Sequence, residues 1–177
     1  MESRAPRPRS VACAAQPQGE RLSASHDACC RVQTTSCPCS VCGNPGRNVT
    51  ALTLDHHVPH PLRAAIGDEA TFCLNPACEV VYCNPAGCVV RKDQTVLPVT
   101  IKDPGDGVLA CYCFGFTRGD IRRDLAARGS TGIPDEIRKG IADGRCACER
   151  NNPQGACCLG NVAAEIKKVK EEARSHG

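Results

Sequence analysis

Two cysteine segments, Cys39-Ser40-Val41-Cys42-Gly43 and Phe72-Cys73-Leu74-Asn75-Pro76-Ala77-Cys78-Glu79, carry the strongest folding signal in the first half of this chain. Two cysteines a few residues apart on a turn can direct both thiolates at one ion, and Gly43 gives the backbone the freedom that such a knuckle needs. Two knuckles complete a tetrahedron of four thiolates, the geometry that favours zinc. The segments therefore predict a zinc site ligated by Cys39, Cys42, Cys73 and Cys78. Cys37 is an alternative to Cys39, because Cys37-Pro38-Cys39 could place either sulfur in the site.

The composition indicates that cysteine chemistry supports the fold. The chain has 177 residues, of which 16 are cysteine, three Phe, two Tyr and none Trp. With so few aromatic residues the hydrophobic core is thin unless metals or disulfides reinforce it, which excludes a large enzyme core. The net charge of +3, without a long basic run, argues against nucleic acid as a partner.

The N-terminal segment bears on the compartment. Its apolar run, Val11 to Ala15, ends at Gln16-Pro17, whereas a secretory signal needs roughly 7 to 15 apolar residues. No membrane span is expected either. We therefore expect a reducing, cytoplasmic location, where dense cysteine usage favours metal sites over the alternative of a secreted disulfide protein.

The pattern along the chain predicts an α+β protein in three parts. Residues 1–35 read as a disordered tail, residues 36–102 as a small β-rich zinc-binding domain, and residues 108–177 as a helical domain. We expect strands over 48–54, 70–73, 79–82 and 95–101, one or two helical turns over 60–66, and a linker over 102–107.

The second half shows helical signals. Thr117 and Asp120 form a capping box for a helix that ends at Gly129, and a second helix begins near Pro134 and ends at Gly144. A third helix over 162–174 carries apolar residues on one face and Lys and Glu on the other. The result is a helix-turn-helix followed by a C-terminal helix.

A second group of cysteines surrounds the first two of these helices. It comprises Cys111-Tyr112-Cys113, Cys146-Ala147-Cys148 and Asn152-Pro153-Gln154-Gly155-Ala156-Cys157-Cys158. A two-iron cluster needs four thiolates, two for each iron, and cysteines in loops at both ends of a helical pair can supply them. A [2Fe-2S] cluster is therefore expected here. The residues alone do not decide whether Cys146 or Cys148 is a cluster ligand, or whether Cys157 or Cys158 is.

These motifs carry a family resemblance. The Cys-x-Cys, the helix-turn-helix and the second cysteine group resemble the [2Fe-2S] domain of bacterioferritin-associated ferredoxin. The whole order of motifs from Cys39 to Asn161 resembles more closely the N-terminal region of CopZ-type copper chaperones, which carries a zinc site and a [2Fe-2S] cluster. That resemblance implies Cys111, Cys113, Cys148 and Cys158 as cluster ligands.

The resemblance also implies a function. It suggests copper handling supported by single-electron transfer, with reduction of Cu(II) to Cu(I) and with a redox partner or a copper carrier or transporter protein. The complete chaperones have a C-terminal heavy-metal-associated domain with a Met-x-Cys-x-x-Cys loop, which we expect this chain to lack, since Met1 is its only Met. The alternative is a general electron-transfer protein that resembles bacterioferritin-associated ferredoxin and serves an oxidoreductase or an iron-storage partner. No catalytic triad, HExxH or phosphate-binding loop is visible, so an enzyme is not expected.

Four smaller features are interpreted conservatively. Asp55-His56-His57 with His60 is expected to be an exposed connector more than a metal site, and Cys83 and Cys88 are expected to be strand-end thiols more than a soft-metal or redox pair. Cys13, Cys29 and Cys30 could capture soft metal ions. Lys167, Lys168 and Lys170 are expected on a solvated helix face that could dock an acidic redox partner.

Overall fold

A computed structural model of the chain describes residues 37–175. Within these residues it contains two antiparallel sheets and six α-helices, which confirms the predicted α+β class. The predicted tail, residues 1–35, lies outside the described residues, as do Cys13, Cys29 and Cys30.

The first sheet has four strands in the order β1-β2-β3-β4, and each pair is antiparallel. Every residue of the two central strands is buried. The strands predicted over 70–73 and 79–82 are confirmed, whereas the last strand of the sheet was not predicted. The four strands are β1 (Gly46–Val49), β2 (Ala70–Cys73), β3 (Val80–Cys83) and β4 (Val89–Arg91).

The strand predicted over 48–54 is wrong beyond Val49. The chain leaves β1 at Thr50, and helix α1 occupies Ala51–His57. His57 follows Thr53 by four positions and Leu54 by three, so the three side chains share one helix face, and all three are buried. Burial of this face stabilises the helix and outweighs the β-propensity of residues 48–54.

Helix α2 (His60–Ile66) matches the helical turns predicted there, and it ends at Gly67, whose φ of 68° suits glycine. A short 3₁₀ turn, Lys92–Gln94, follows β4.

The strand predicted over 95–101 is absent, because other groups use the backbone bonds that a sheet would need. The Val99 amide donates to the Asp103 carboxylate at 2.6 Å, and the Thr100 amide donates to the Tyr112 hydroxyl at 3.0 Å. Arg118 donates to the carbonyl of Thr100. The predicted linker that follows, 102–107, has neither helix nor strand. The domain boundary placed there remains a prediction.

The second half consists of a short hairpin and four helices. The hairpin pairs β5 (Leu109–Cys111) with β6 (Phe116–Thr117). The three predicted helices are present, and α5, a single turn, was not predicted. The capping box is confirmed, since the Thr117 hydroxyl accepts from the Asp120 amide and the Asp120 carboxylate accepts from the Thr117 amide. The helices are α3 (Arg118–Arg128), α4 (Ile133–Ala142), α5 (Cys148–Asn151) and α6 (Leu159–Ser175).

The two halves of the chain have separate hydrophobic clusters, and α1 of the first half contacts α5 of the second. Phe72 and Tyr82 are central to the first cluster, and Ile121, Ile137 and Val162 to the second. Direct hydrogen bonds join the two halves, because the Thr53 hydroxyl donates to the carbonyl of Glu149 at 2.5 Å and the Tyr82 hydroxyl to that of Pro153 at 2.7 Å. The loop around α5, which carries part of the second cysteine group, is thus anchored on the first half of the chain.

The last helix departs from its prediction at one position. Glu165 belongs to the predicted charged face of α6, yet it is buried. Its carboxylate forms ion pairs with Arg118 at 3.4 Å and Arg122 at 3.0 Å, both on α3. A buried carboxylate with two guanidinium partners fixes α6 against α3.

Candidate metal centres

The first knuckle is a tight turn held by its own backbone. The Cys39 amide donates to the carbonyl of Asn44, and the Gly43 amide donates to that of Cys39, both at 2.9 Å. Gly43 has a φ of 70°, so the backbone freedom predicted for it is used. The turn leaves Cys39 buried and Cys42 half-buried.

The second knuckle connects β2 to β3. Cys73 ends β2, and the chain then turns through Asn75, whose carbonyl accepts from the Cys78 amide at 3.2 Å. The side chain of Asn75 accepts from the Ala77 amide at 3.0 Å and stabilises the turn. Both cysteines of this knuckle are buried.

The two knuckles bring the four predicted zinc ligands together. The four Sγ atoms of Cys39, Cys42, Cys73 and Cys78 all lie within 4.8 Å of one another, and Cys42 and Cys73 are 3.6 Å apart. Sulfurs bound tetrahedrally at about 2.3 Å from zinc would be separated by about 3.8 Å. The donor set therefore fits zinc in both geometry and chemistry.

The protonation of these thiols is uneven. Burial raises the pKa of Cys73 to about 12. Burial acts the same way on Cys42, but hydrogen bonds from Asn44, Asn75 and Cys73 outweigh it and lower the pKa of Cys42 to about 6. One thiolate is thus available at neutral pH, and metal binding would displace protons from the others.

Three other cysteines of the first half lie outside this four-sulfur group. Cys37, the alternative to Cys39, is not part of it. Cys83, at the end of β3, is buried against the same cluster, and burial raises the pKa of its thiol. Cys88, which was expected with Cys83 to be a strand-end thiol, is half-buried just before β4.

The second cysteine group converges from three separate segments. Cys111 ends β5 and Cys113 lies in the same hairpin, Cys146 lies two residues before α5 and Cys148 begins it, and Cys158 directly precedes α6. Cys111 and Cys158 form a buried pair with sulfurs 2.9 Å apart. The other three sulfurs lie beside them in a triangle: Cys113 to Cys148 is 3.6 Å, Cys146 to Cys148 is 3.3 Å, and Cys146 to Cys113 is 3.9 Å.

The predicted cluster ligands are therefore all within this group, together with Cys146. Cys148 contacts both the buried pair and the triangle, since its thiol interacts with Cys158, Cys146 and Cys113. Cys146 contacts only the triangle and is more exposed. Cys111 contacts Cys158. Cys157 belongs neither to the four-sulfur group of the first site nor to the triangle of the second. The donor set, sulfur throughout, fits an iron–sulfur cluster.

The pKa values of the thiols at this second site are shifted in opposite directions. The hydrogen bond from Cys158 lowers the pKa of Cys111 to about 7 and that of Cys148 to about 5. Burial raises the pKa of Cys146 to about 12 and also raises that of Cys113, and the hydrogen bond with Cys111 raises the pKa of Cys158. Asn151 places its side-chain amide 3.7 Å from the Cys113 sulfur, a contact that no sequence spacing indicated. Hydrogen bonds to the sulfurs are one of the factors that set the potential of a cluster.

The helix pair contacts the hairpin through Phe114. A side chain at Gly140 of α4 would lie 2.3 Å from the Phe114 ring, so the absence of one lets the ring pack there. Arg145 lies 5.4 Å from the centroid of the same ring. These contacts link α4 to the loop of Cys113, and they explain how helices of this length hold the cysteine loops together.

The histidine segment divides into exposed and buried parts. His56 and His60 are exposed, as expected of a connector, and Asp55 pairs with Arg63 at 2.6 Å. His57 departs from that expectation, because it is fully buried on α1. Among the described residues, no group with metal-binding geometry includes a histidine.

Two surface features complete the description. Lys167 and Lys168 are exposed on α6 and lie 3.8 and 3.9 Å from Glu171 and Glu172, in agreement with a solvated face. None of the helices in residues 37–175 is both long enough and apolar enough to cross a membrane.

Comparison with known proteins finds a family model that matches part of the first half and a solved structure that is similar over a larger part of the chain. Residues 36–96 match the family zf_CopZ, described as a zinc binding domain. The X-ray structure of the Archaeoglobus fulgidus CopZ N-terminal domain is similar at 28% sequence identity and a TM-score of 0.61, over 72% of this chain and 95% of that one. That likeness extends beyond residues 36–96. No curated protein matches the chain. The CopZ resemblance read from the cysteine pattern is confirmed.

Proposed function

We propose that this chain, which carries a CopZ-type zinc-binding domain over residues 36–96, is a cytoplasmic metalloprotein that supports copper handling by single-electron transfer. In this proposal Cys39, Cys42, Cys73 and Cys78 hold zinc, and Cys111, Cys113, Cys148 and Cys158 hold a [2Fe-2S] cluster. The protein acts as an electron-transfer or metallochaperone protein and not as an enzyme.

The zinc ion has a structural role in this proposal. The first knuckle precedes β1 and the second connects β2 to β3, and both lie at the same end of the sheet because Gly46 pairs with Cys73. One ion would therefore hold three strands together at that end. A structural zinc contributes its binding free energy to folding, which matters for a small sheet with few aromatic residues. The closed set of four thiolates leaves no open coordination position for catalysis.

The observation that carries the electron-transfer proposal is a buried pair of thiols beside a triangle of three more, from which two pairs of ligands can be drawn. Cys111 with Cys158, at 2.9 Å, would serve one iron, and Cys113 with Cys148, at 3.6 Å, would serve the other. Cys148 is preferred to Cys146 because it is more buried and contacts both pairs. A [2Fe-2S] cluster bound there supplies one electron at a time, the number that converts Cu(II) to Cu(I).

The placement of the thiols supports exchange of electrons with a partner. Cys111 and Cys158 are buried, whereas Cys113 and Cys146 are half-buried and face outward. This side of the site gives a redox protein or a copper carrier its shortest approach. Cu(I), once formed, suits the thiolate ligands of such a carrier.

Anaerobic purification followed by metal analysis tests the two-site proposal. We expect one zinc and two irons per chain, and a spin-half electron paramagnetic resonance signal after reduction with dithionite. Cys111→Ser should abolish the signal and leave the zinc content unchanged. Zinc without iron in the wild-type protein would refute electron transfer.

The copper step needs its own experiment. Protein reduced with dithionite and then freed of it is mixed anaerobically with Cu(II) and a chromogenic Cu(I) chelator. Because free thiols also reduce Cu(II), with formation of a disulfide, the control is the same protein with its cluster oxidised. We expect about one additional Cu(I) per cluster from the reduced form, produced as the spin-half signal disappears. A cluster that gives no electrons to Cu(II) but does reduce or oxidise a ferredoxin-linked oxidoreductase would instead favour the general electron-transfer protein.

A further inference from the structure

Lys102 is a buried ammonium group beside the second knuckle. Only 8% of the residue is exposed, although it lies in the stretch predicted as a linker. Its Nζ donates to the carbonyl of Asn75 at 2.7 Å and to that of Cys78 at 3.1 Å, and it lies 5.7 Å from the centroid of the Phe72 ring. Within residues 37–175, no carboxylate forms an ion pair with it.

A buried lysine without an acidic partner needs an explanation. Charged side chains are almost never fully buried unless they are paired, because removal of the charge from water is costly. The two carbonyls and the aromatic ring provide dipoles and a weak cation–π contact, but no negative charge. A negative charge close to the two carbonyls would balance the positive charge of the Lys102 ammonium group.

The knuckle itself supplies that negative charge when it is loaded. Four thiolates around one Zn²⁺ carry a net charge of −2, and the charge of the ion has to be included in any such balance. One of the two carbonyls that bind Lys102 belongs to Cys78, a member of the four-sulfur group. Lys102 is also one of the groups that act against the effect of burial on the pKa of Cys73.

We propose that Lys102 is the counter-charge of the four-thiolate zinc centre and a positioning residue that holds the second knuckle in its ligating shape. This inference rests on the proposed zinc site and extends it to a residue outside both cysteine motifs. Asn75 and Cys78 are held by one ammonium group, so the turn that carries Cys73 and Cys78 cannot open without breaking both hydrogen bonds.

Three substitutions in the full chain separate the charge from the hydrogen bonds and from general surface effects. Lys102→Gln keeps an N–H donor and removes the charge, whereas Lys102→Arg keeps the charge. Lys92→Gln is the matched control, because Lys92 also lies beside this knuckle but is only half-buried and pairs with the Glu79 carboxylate at 2.8 Å. Zinc affinity is measured by competition with a chromogenic chelator.

We expect Lys102→Gln to lower zinc affinity on the order of 10- to 100-fold, as changes next to metal ligands commonly do. Lys102→Arg and Lys92→Gln should stay within about threefold of wild type. A second measurement covers the case in which a variant folds poorly: zinc release after addition of N-ethylmaleimide, with the same chelator as readout. Release should be faster in Lys102→Gln than in Lys92→Gln, because zinc-bound thiolates become more nucleophilic once the positive charge is lost.

The outcomes distinguish the inference from the zinc site on which it rests. Wild-type protein that binds no zinc would overturn both. Wild-type protein with zinc, together with unchanged affinity and unchanged release in Lys102→Gln, would overturn the role of Lys102 alone. Equal loss of affinity in Lys102→Gln and Lys102→Arg, with equal release rates, would assign Lys102 to packing and would also overturn the counter-charge.

Discussion

The buried histidine His57 predicts a specific loss of stability in acid. The side chain lies on α1, between the two halves of the chain, and neither ring nitrogen has a hydrogen-bond partner among the described residues. Burial, with a smaller effect of His56, lowers the pKa of His57 from 6.5 to about 4, against the opposing effect of the Arg150 and Asn151 backbone. The folded protein therefore holds this ring neutral at a pH where the unfolded chain already protonates it.

The sign and the size follow from that difference in pKa. Between pH 6.5 and 4 the unfolded state binds more protons than the folded state at His57, so stability falls as the pH falls through this window. Each pKa unit is worth about 1.4 kcal/mol, which gives a total of about 3 kcal/mol, and about 2 kcal/mol of it is lost by pH 5.

Urea denaturation of wild-type protein and His57→Leu at pH 7.5 and pH 5 measures the effect. Any loss of metal in acid affects both proteins, so the difference between them isolates the histidine. We expect the stability of His57→Leu relative to wild type to rise by about 2 kcal/mol on going from pH 7.5 to pH 5. His60→Leu, at an exposed histidine, is the control. If the stability difference between His57→Leu and wild type does not change with pH, burial of a neutral His57 does not contribute to acid sensitivity.

Two further predictions concern the second metal centre. Cys148→Ser should remove the iron, whereas Cys146→Ser should keep close to two irons per chain, because only Cys148 contacts both sulfur pairs; iron analysis that showed the reverse would exchange their roles. Gly140→Ala would place a Cβ 2.3 Å from the Phe114 ring, so we expect a loss of about 1–3 kcal/mol in thermal denaturation from overpacking. Gly160→Ala, which meets no atom within 4 Å, is its control, and equal melting temperatures for the two variants would contradict the packing argument.

Local patterns in the sequence correctly predicted the features whose backbone hydrogen bonds and dihedral angles depend on residues a few positions away. The capping box of Thr117 and Asp120, the end of α2 at Gly67 and the turn at Gly43 all involve residues within a few positions of one another. The same is true of each zinc knuckle, since the cysteine spacing and the turn residues act together. These features could therefore be predicted before any tertiary contact was known.

The two wrong strand predictions concern segments whose backbone hydrogen bonds or buried faces involve residues distant in the sequence. The stretch over 95–101 has strong β-propensity, but Tyr112, Asp103 and Arg118 take its hydrogen bonds and leave no edge for a sheet. Residues 51–57 form a helix because their buried face meets α5, a contact nearly a hundred positions away in the chain. Propensity is a weak guide wherever such contacts decide the burial of a face.

The kind of chemistry could be predicted from the cysteine spacings, the few aromatic residues and the two knuckles, which together indicate metal sites in an α+β chain. The groups that lie beside the sulfurs could be identified only from the folded chain. The tertiary structure brought Cys148 between two sulfur pairs, put Lys102 on the carbonyls of a knuckle and buried His57 between the halves. Ligand spacing is local along the chain, whereas burial, charge balance and the choice between two nearby thiols depend on segments that meet only after folding.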